Sequence, residues 1–311
     1  MIISPDKHCR LDGSVLRISE LINSPIPIIP LTRIDGFVFN ESLYSLDKYI
    51  LLDYTELFWN SHYADTHLFG RNTDMVEHIF QGEEWAKFDE FVAKKPPIVY
   101  FKREVNYKDV KGNVLPIDYP CYVEPIQIQT KEQYLSRPIN VFNFWGRSSE
   151  YRVKFHADVW ANSSRNGAAI CDNMYYLERF LAEEKSPNKW VSLNIPHYAR
   201  IDIGQILGIN GLSKLSMSMW GSGKKCFRDS EAPVNSLMVM QNSNIRHTFE
   251  WIHGVNCLKV NSGEVEISRI DELLQRDDLY EIYVSGVENL DKYRAKNYIQ
   301  YIENTIKERI G

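Results

Sequence analysis

The chain has 311 residues, 44% hydrophobic and 25% charged, which is enough apolar material for about two domains and excludes a disordered or fibrous design. A net charge of -5 and a pI near 5.9 argue against a general nucleic-acid or anionic-membrane binder, which needs a basic face. The opening "MIISPDKHCRLDG" lacks the basic-then-apolar order of a secretory signal, and no window approaches ~18 uninterrupted apolar residues, so a cytoplasmic, unanchored protein is expected.

Five cysteines, Cys9, Cys121, Cys171, Cys226 and Cys257, are far apart and form no C-x-x-C pair, so neither zinc nor redox chemistry is expected of them. Cys226 alone adjoins a charged motif, yet no motif-placed histidine accompanies it.

Along the chain, short β-rich runs alternate with helical stretches, the pattern of layered α/β domains. "KYILLDYTE" reads as a buried strand ending in Asp53 and Glu56, and "PPIVYFKRE" as another ending in Lys102, Arg103 and Glu104. Between them "YTELFWNSHY" mixes aromatic faces and polar edges at Trp59, His62 and Tyr63, as a carbohydrate acceptor surface requires. The same aromatics also suit the core of the first domain, a reading favoured by the adjacency of Phe58 and Trp59, which cannot both face a cleft from one helix.

The polar stretch "TKEQYLSRP" is read as the domain boundary, giving a first domain over 1–135 and a second over 136–285. The second opens with the strand "INVFNFWGRSS", which exits at Gly146 and Arg147, and continues through helical spacing in "EYRVKFHADVWA". "WVSLNIP", "LSKLSMSMW", "SLMVMQ" and "NCLKV" add strands. A closing segment, 286–311, aligns Ile299, Ile302, Ile306 and Ile310 on one helical face.

Ligands of open α/β sheets sit at the carboxyl ends of strands, and charged groups gather at several such ends here. The densest is "LSMSMWGSGKKCFRDSEAPVNSLMVM". Gly221, Ser222 and Gly223 let backbone amides approach a ligand. Pro233 fits near a first helical turn, so a helix is predicted to start between Phe227 and Ser230. Lys224, Lys225 and Arg228 beside such a start suit a phosphate or diphosphate, and Glu231 could accept two hydrogen bonds from ribose hydroxyls. The alternative is a solvated strand-turn-helix junction capped by Asp229 or Ser230. Neither a P-loop nor a dinucleotide fingerprint is present.

"WGSGKKCFRDSEAPVNSLMVM" resembles the C-terminal motif of exostosin-like and related GT-B glycosyltransferases, which runs glycine, Phe-Arg-Asp-x-Glu-Ala, a small residue and a strand. Pro233 and Asn235 depart from the leucine and glycine more usual there. The resemblance implies a GT-B-like α/β fold of two Rossmann-like domains facing a cleft, with the terminal helix crossing back to the first. It implies a sugar donor carried on a nucleoside diphosphate, held by the second domain through Arg147, Trp220, Gly221 to Lys224, Arg228, Asp229 and Glu231. Acceptor contacts, to a glycan or lipid-linked molecule, would come from Trp59, His62, Tyr63 and Glu104.

No Asp-x-Asp occurs, so Arg147, Lys224 and Arg228 are expected to stabilise the departing diphosphate without a metal or other cofactor. An inverting reaction would need a base, for which Glu56 leads Asp53, with His62, Asp65 and Glu104 also in reach of the argument. A non-catalytic nucleotide- or glycan-binding relative and another nucleotide-dependent transferase, such as a methyltransferase, are the other classes.

Overall fold

The computed structural model describes residues 1–11, 13–32, 36–55, 82–103, 105–106, 114–124, 127–144, 157, 168–171, 189–193, 203–219, 225, 228–243, 245–261 and 267–311. The chain divides into two units, the first formed by Met1–Asp118, Asn244–Glu250 and Ala295–Gly311, and the second by Tyr119–Ser243 and Trp251–Arg294.

In the first unit, parallel strands β1 (Ile28–Leu31), β2 (Ile50–Asp53), β3 (Val99–Lys102) and β5 (Val114–Pro116) lie side by side in that order among the described residues. Their side chains are buried on both faces, which is why "YILLD" and "IVYFK" read as continuous apolar runs rather than alternating ones. Pro30 sits in β1, the outer strand of this order, where a missing N–H costs least. Helix α1 (Gly13–Leu21) precedes the sheet, and α2 (Glu83–Lys94) lays Trp85, Phe88, Phe91 and Val92 against Ile29, Leu31, Leu51 and Tyr100. That spacing, three or four residues apart, places the aromatic side chains on one helical face.

Two later segments return to this unit. Strand β11 (Ile245–Arg246) pairs antiparallel with β4 (Val105–Asn106). Beyond it, His247 Nδ1 lies 2.9 Å from Asp118 Oδ1 and the Thr248 amide donates to Asp118 Oδ2 at 2.6 Å. The terminal helix α8 (Ala295–Ile310) joins the same knot, since Tyr298 Oη accepts from the Asp118 amide at 2.5 Å and lies 2.9 Å from Thr248 Oγ1. Its face carries Tyr298, Ile299, Ile302 and Ile306 inward, with Ile310 half-buried. The isoleucine stripe thus does what its spacing predicts, within the first unit.

The second unit holds six parallel strands among the described residues, in the order β12 (Leu258–Val260), β10 (Leu237–Gln241), β9 (Ser213–Ser218), β6 (Ile139–Phe144), β8 (Lys189–Leu193) and β7 (Ala168–Cys171). After β6 the chain builds β7 and β8 on one side, then passes back across to build β9, β10 and β12 on the other. The strand order therefore reverses between β6 and β9, and the crevice at their carboxyl ends is the topological switch point where ligands of such sheets bind. Helix α4 (Ile203–Gly211) leads into β9; α5 (Arg228–Glu231) and a 3-10 turn (Ala232–Val234) connect β9 to β10; α6 (Ile267–Leu274) and α7 (Leu279–Asp291) follow β12.

The passage into this unit falls at Asp118 and Tyr119, earlier than the polar stretch that suggested a boundary at 135/136. That stretch instead folds as α3 (Lys131–Leu135), with Thr130 and Gln133 forming a reciprocal capping box. Arg137 behind it is buried, its guanidinium carbon 4.7 Å and 4.9 Å from the ring centroids of Tyr134 and Tyr283. Its Nη1 donates to the Ser213 carbonyl at 2.6 Å, and burial pushes its pKa down. The polar run thus lies inside a domain with most of its residues exposed and only Tyr134 and Arg137 turned inward.

Helix α7 approaches the 252–256 turn so closely that a Cβ on Gly286 would sit 2.7 Å from the Asn256 carbonyl oxygen. Gly286→Ala is therefore expected to destabilise the protein by about 1–3 kcal/mol despite alanine's better helix propensity. Gly208, in α4, has nothing within 4 Å of such a Cβ, so Gly208→Ala should be neutral or stabilising. Urea denaturation of the two variants checks the contrast.

Candidate functional site

Strand β9 shows why the Arg-Asp-x-Glu motif lies where it does. Its alternation of Leu215, Met217 and Met219 with serines does not divide core from solvent, because nearly every position is buried. The apolar side chains enter the core of the second unit with Val141, Leu237, Val239 and Leu258. The serine face carries hydrogen bonds: Ser216 Oγ donates to Asn210 Oδ1 at 3.0 Å and Ser218 Oγ to Asp229 Oδ1 at 2.6 Å.

Helix α5 starts at Arg228, inside the predicted Phe227 to Ser230 window, and Pro233 lies in the first turn of the 3-10 segment that succeeds it. The α-helical part is four residues long. So few aligned peptides make a weak terminal field, and attraction for an anion falls to side-chain cations instead. Arg228 pairs with Glu231 one turn along, and both remain partly accessible, at 18% and 24% of their side-chain area. An incoming diphosphate and sugar could thus reach both partners. Lys225 is buried, at 3% exposure.

Asp229, rather than capping freely, is held by Ser218, which fixes α5 against the carboxyl end of β9. Asn235, the departure from the motif's usual glycine, uses its Nδ2 to hold the Leu207 carbonyl at 3.1 Å. Arg147, Trp220, Gly221, Ser222, Gly223, Lys224 and Cys226 lie outside the described residues. Gly146 and Arg147 directly follow β6 in the chain, while Trp220 to Lys224 follow β9, the two strands that flank the switch point.

In the first unit the carboxyl-end register row joins Leu31, Asp53, Lys102 and Pro116. Asp53 is fully buried. Its Oδ1 accepts from the Thr55 amide (2.8 Å), Thr55 Oγ1 (2.5 Å) and Lys102 Nζ (3.2 Å), and its Oδ2 from Tyr100 Oη (2.6 Å). Lys102 Nζ also donates to the Thr55 carbonyl at 2.5 Å, and both charged side chains are 0% exposed. This arrangement locks the ends of β2 and β3 together and leaves Asp53 with its oxygens engaged. Glu56, Trp59, His62, Tyr63, Asp65 and Glu104 lie outside the described residues.

Of the cysteines, Cys121 and Cys257 are buried thiols, burial pushing Cys121 up and Cys257 to about 12, as inert side chains should be; Cys9 is exposed. No helix among the described residues is long and apolar enough to cross a membrane.

Neither a family model nor a curated protein matches the chain. Solved structures do. Anabaena Alr3699/HepE in complex with UDP superposes with a TM-score of 0.53 at 11% identity over 99% of both chains, and its complex with UDP-glucose at 0.51 and 12%, again over 99% of both. The GtfA/B complex matches 91% of the chain at 13% identity and a TM-score of 0.48. The chain spans 57% of the length of the GtfA/B and TarM chains. At such identities the likeness establishes the fold: a GT-B-like α/β chain, with two parallel sheets and a terminal helix belonging to the first unit.

Proposed function

We propose that the protein is a glycosyltransferase that moves a sugar from a nucleoside diphosphate donor to a glycan or lipid-linked acceptor, with fixed cations stabilising the departing diphosphate. The observation that carries the reading is the placement of the Arg228–Glu231 pair on the segment that leaves β9, at the strand-order reversal of the second sheet. The UDP and UDP-glucose complexes of the similarly folded HepE support the same ligand class.

In this reading Arg228 exchanges Glu231 for the diphosphate, and the released carboxylate takes the ribose hydroxyls. Arg147 and Lys224 add positive charge, the Gly221-Ser222-Gly223 backbone supplies amides, and Trp220 flanks the donor. Charge that develops on the leaving diphosphate then meets donors already in place, which lowers the barrier without reorganisation and without a metal. Glu56 is the proposed base for the acceptor hydroxyl, because the Asp53 oxygens are already occupied by Thr55, Tyr100 and Lys102. Trp59, His62, Tyr63 and Glu104 would face the acceptor. The exostosin-like character of the 215–241 motif and a cytoplasmic location belong to the same proposal.

The test is a melting-temperature screen with UDP, GDP, CMP, their sugars and S-adenosylmethionine. A nucleoside diphosphate sugar should raise the midpoint, since ligand at 100 times its Kd stabilises by about 2.7 kcal/mol, and the same donor should be turned over. Stabilisation by S-adenosylmethionine alone overturns the proposal in favour of a methyltransferase. Nucleotide binding with neither transfer nor hydrolysis across the donor panel overturns it in favour of a non-catalytic binder.

A further inference from the structure

We propose that Asn210 is a positioning residue for nucleotide recognition, acting through Glu231; this rests on the reading above that Glu231 meets the ribose. Asn210 stands in the last turn of α4 and is 2% exposed, so it cannot itself touch a ligand at the mouth of the sheet. Its amide is gripped at both ends. Oδ1 accepts from Ser216 Oγ of β9 at 3.0 Å, and Nδ2 donates to the Glu231 carbonyl at 3.2 Å. Its own carbonyl accepts from Ser236 Oγ at 2.7 Å, at the entrance to β10.

The chemistry explains why an amide stands there. Glu231 ends α5 where the helix changes to the 3-10 turn Ala232–Val234. A carbonyl oxygen carries two lone pairs, so the one at this junction can accept a side-chain donor besides a backbone amide. An asparagine supplies that donor from Nδ2 while Oδ1, a separate atom, is held by a strand serine, which no apolar residue can do. The result is a rigid tie from the middle of β9 to the backbone of the residue whose carboxylate must bridge two hydroxyls. Ser218 ties Asp229 to the same strand, so the short helix is pinned at two levels.

A carboxylate that accepts two hydrogen bonds from one sugar is sensitive to its backbone position, whereas phosphate attraction by a flexible arginine is less so. Loss of the tie should therefore damage ribose recognition selectively. The experiment compares UDP, 2′,3′-dideoxy-UDP and inorganic pyrophosphate by calorimetry in the wild type, Glu231→Ala, Asn210→Ala and Ser216→Ala, with circular dichroism to verify folding. The wild type should prefer UDP over the dideoxy analogue by about tenfold or more, and Glu231→Ala should abolish the preference. Asn210→Ala should reduce it to about threefold or less while pyrophosphate affinity stays within about twofold; Ser216→Ala should give a smaller loss of the same kind.

No preference in the wild type, or its survival in Glu231→Ala, overturns the ribose assignment itself. With those two as expected, an unchanged preference in folded Asn210→Ala, or an equal loss of UDP and pyrophosphate affinity, overturns the positioning role alone. If Asn210→Ala does not fold, Ser216→Ala, which keeps the asparagine and frees its amide, decides by the same criteria.

Discussion

Arg228→Ala is expected to weaken UDP binding about 10- to 100-fold, the scale of one charge-assisted hydrogen bond lost at a partly buried site. Two effects add. The diphosphate loses a cation, and the Glu231 carboxylate, formerly paired with Arg228, is left beside it with that charge unbalanced. The second effect has a signature of its own: the double variant Arg228→Ala/Glu231→Ala should bind pyrophosphate more tightly than Arg228→Ala alone. Such a reversal is the non-additivity expected of two groups in contact. Calorimetry with UDP and pyrophosphate reads both numbers. Unchanged UDP affinity in Arg228→Ala would sink the donor-site assignment.

Lys102→Met should destabilise the protein by about 3–5 kcal/mol, the cost typical of removing one partner from a buried ion pair. Asp53 and Lys102 are both 0% exposed, and the methionine would fill the space while leaving the carboxylate without its cation. Most of that loss should be recovered in Asp53→Asn/Lys102→Met, where no net charge is stranded, because an isolated buried charge costs far more than a neutral amide with hydrogen-bond partners. Urea denaturation gives the stabilities. The same set separates the base candidates: folded Asp53→Asn should retain turnover, whereas Glu56→Gln should lose it. Loss of turnover in a fully folded Asp53→Asn would transfer the role of base to Asp53.

The strands of both sheets were readable where burial is two-sided and the apolar run is short and bounded, as in "YILLD", "IVYFK" and "SLMVM". Helix α2 was less so, since Trp85, Phe88, Phe91 and Val92 are separated by charged residues and carry no capping side chain. Strand β1 hid behind its proline, Pro30, which is tolerated there through the strand's outer place in the sheet order. The serines of β9 were visible, but the alternation alone does not say whether their face is buried. A strand with a hydroxyl at alternate positions, followed by Asp229 and preceded by Asn210, was the signal for the buried network; the pairing with β6 and β10 makes the strand central, and the burial of Ser216 and Ser218 shows that their face is covered.

From the sequence alone came the α/β class, the amphipathic end of the chain and the Arg-Asp-x-Glu cluster at a strand exit, because each is written in local spacing, in periods of two and 3.6 residues. What tertiary structure decided are the contacts between residues far apart in the chain. It drew segment 244–250 into the first unit, committed Asp53 to Lys102, and tied Glu231 to Asn210. The physical reason is that a buried polar group must find a partner, and which partner reaches it depends on strand order and register that no local pattern specifies.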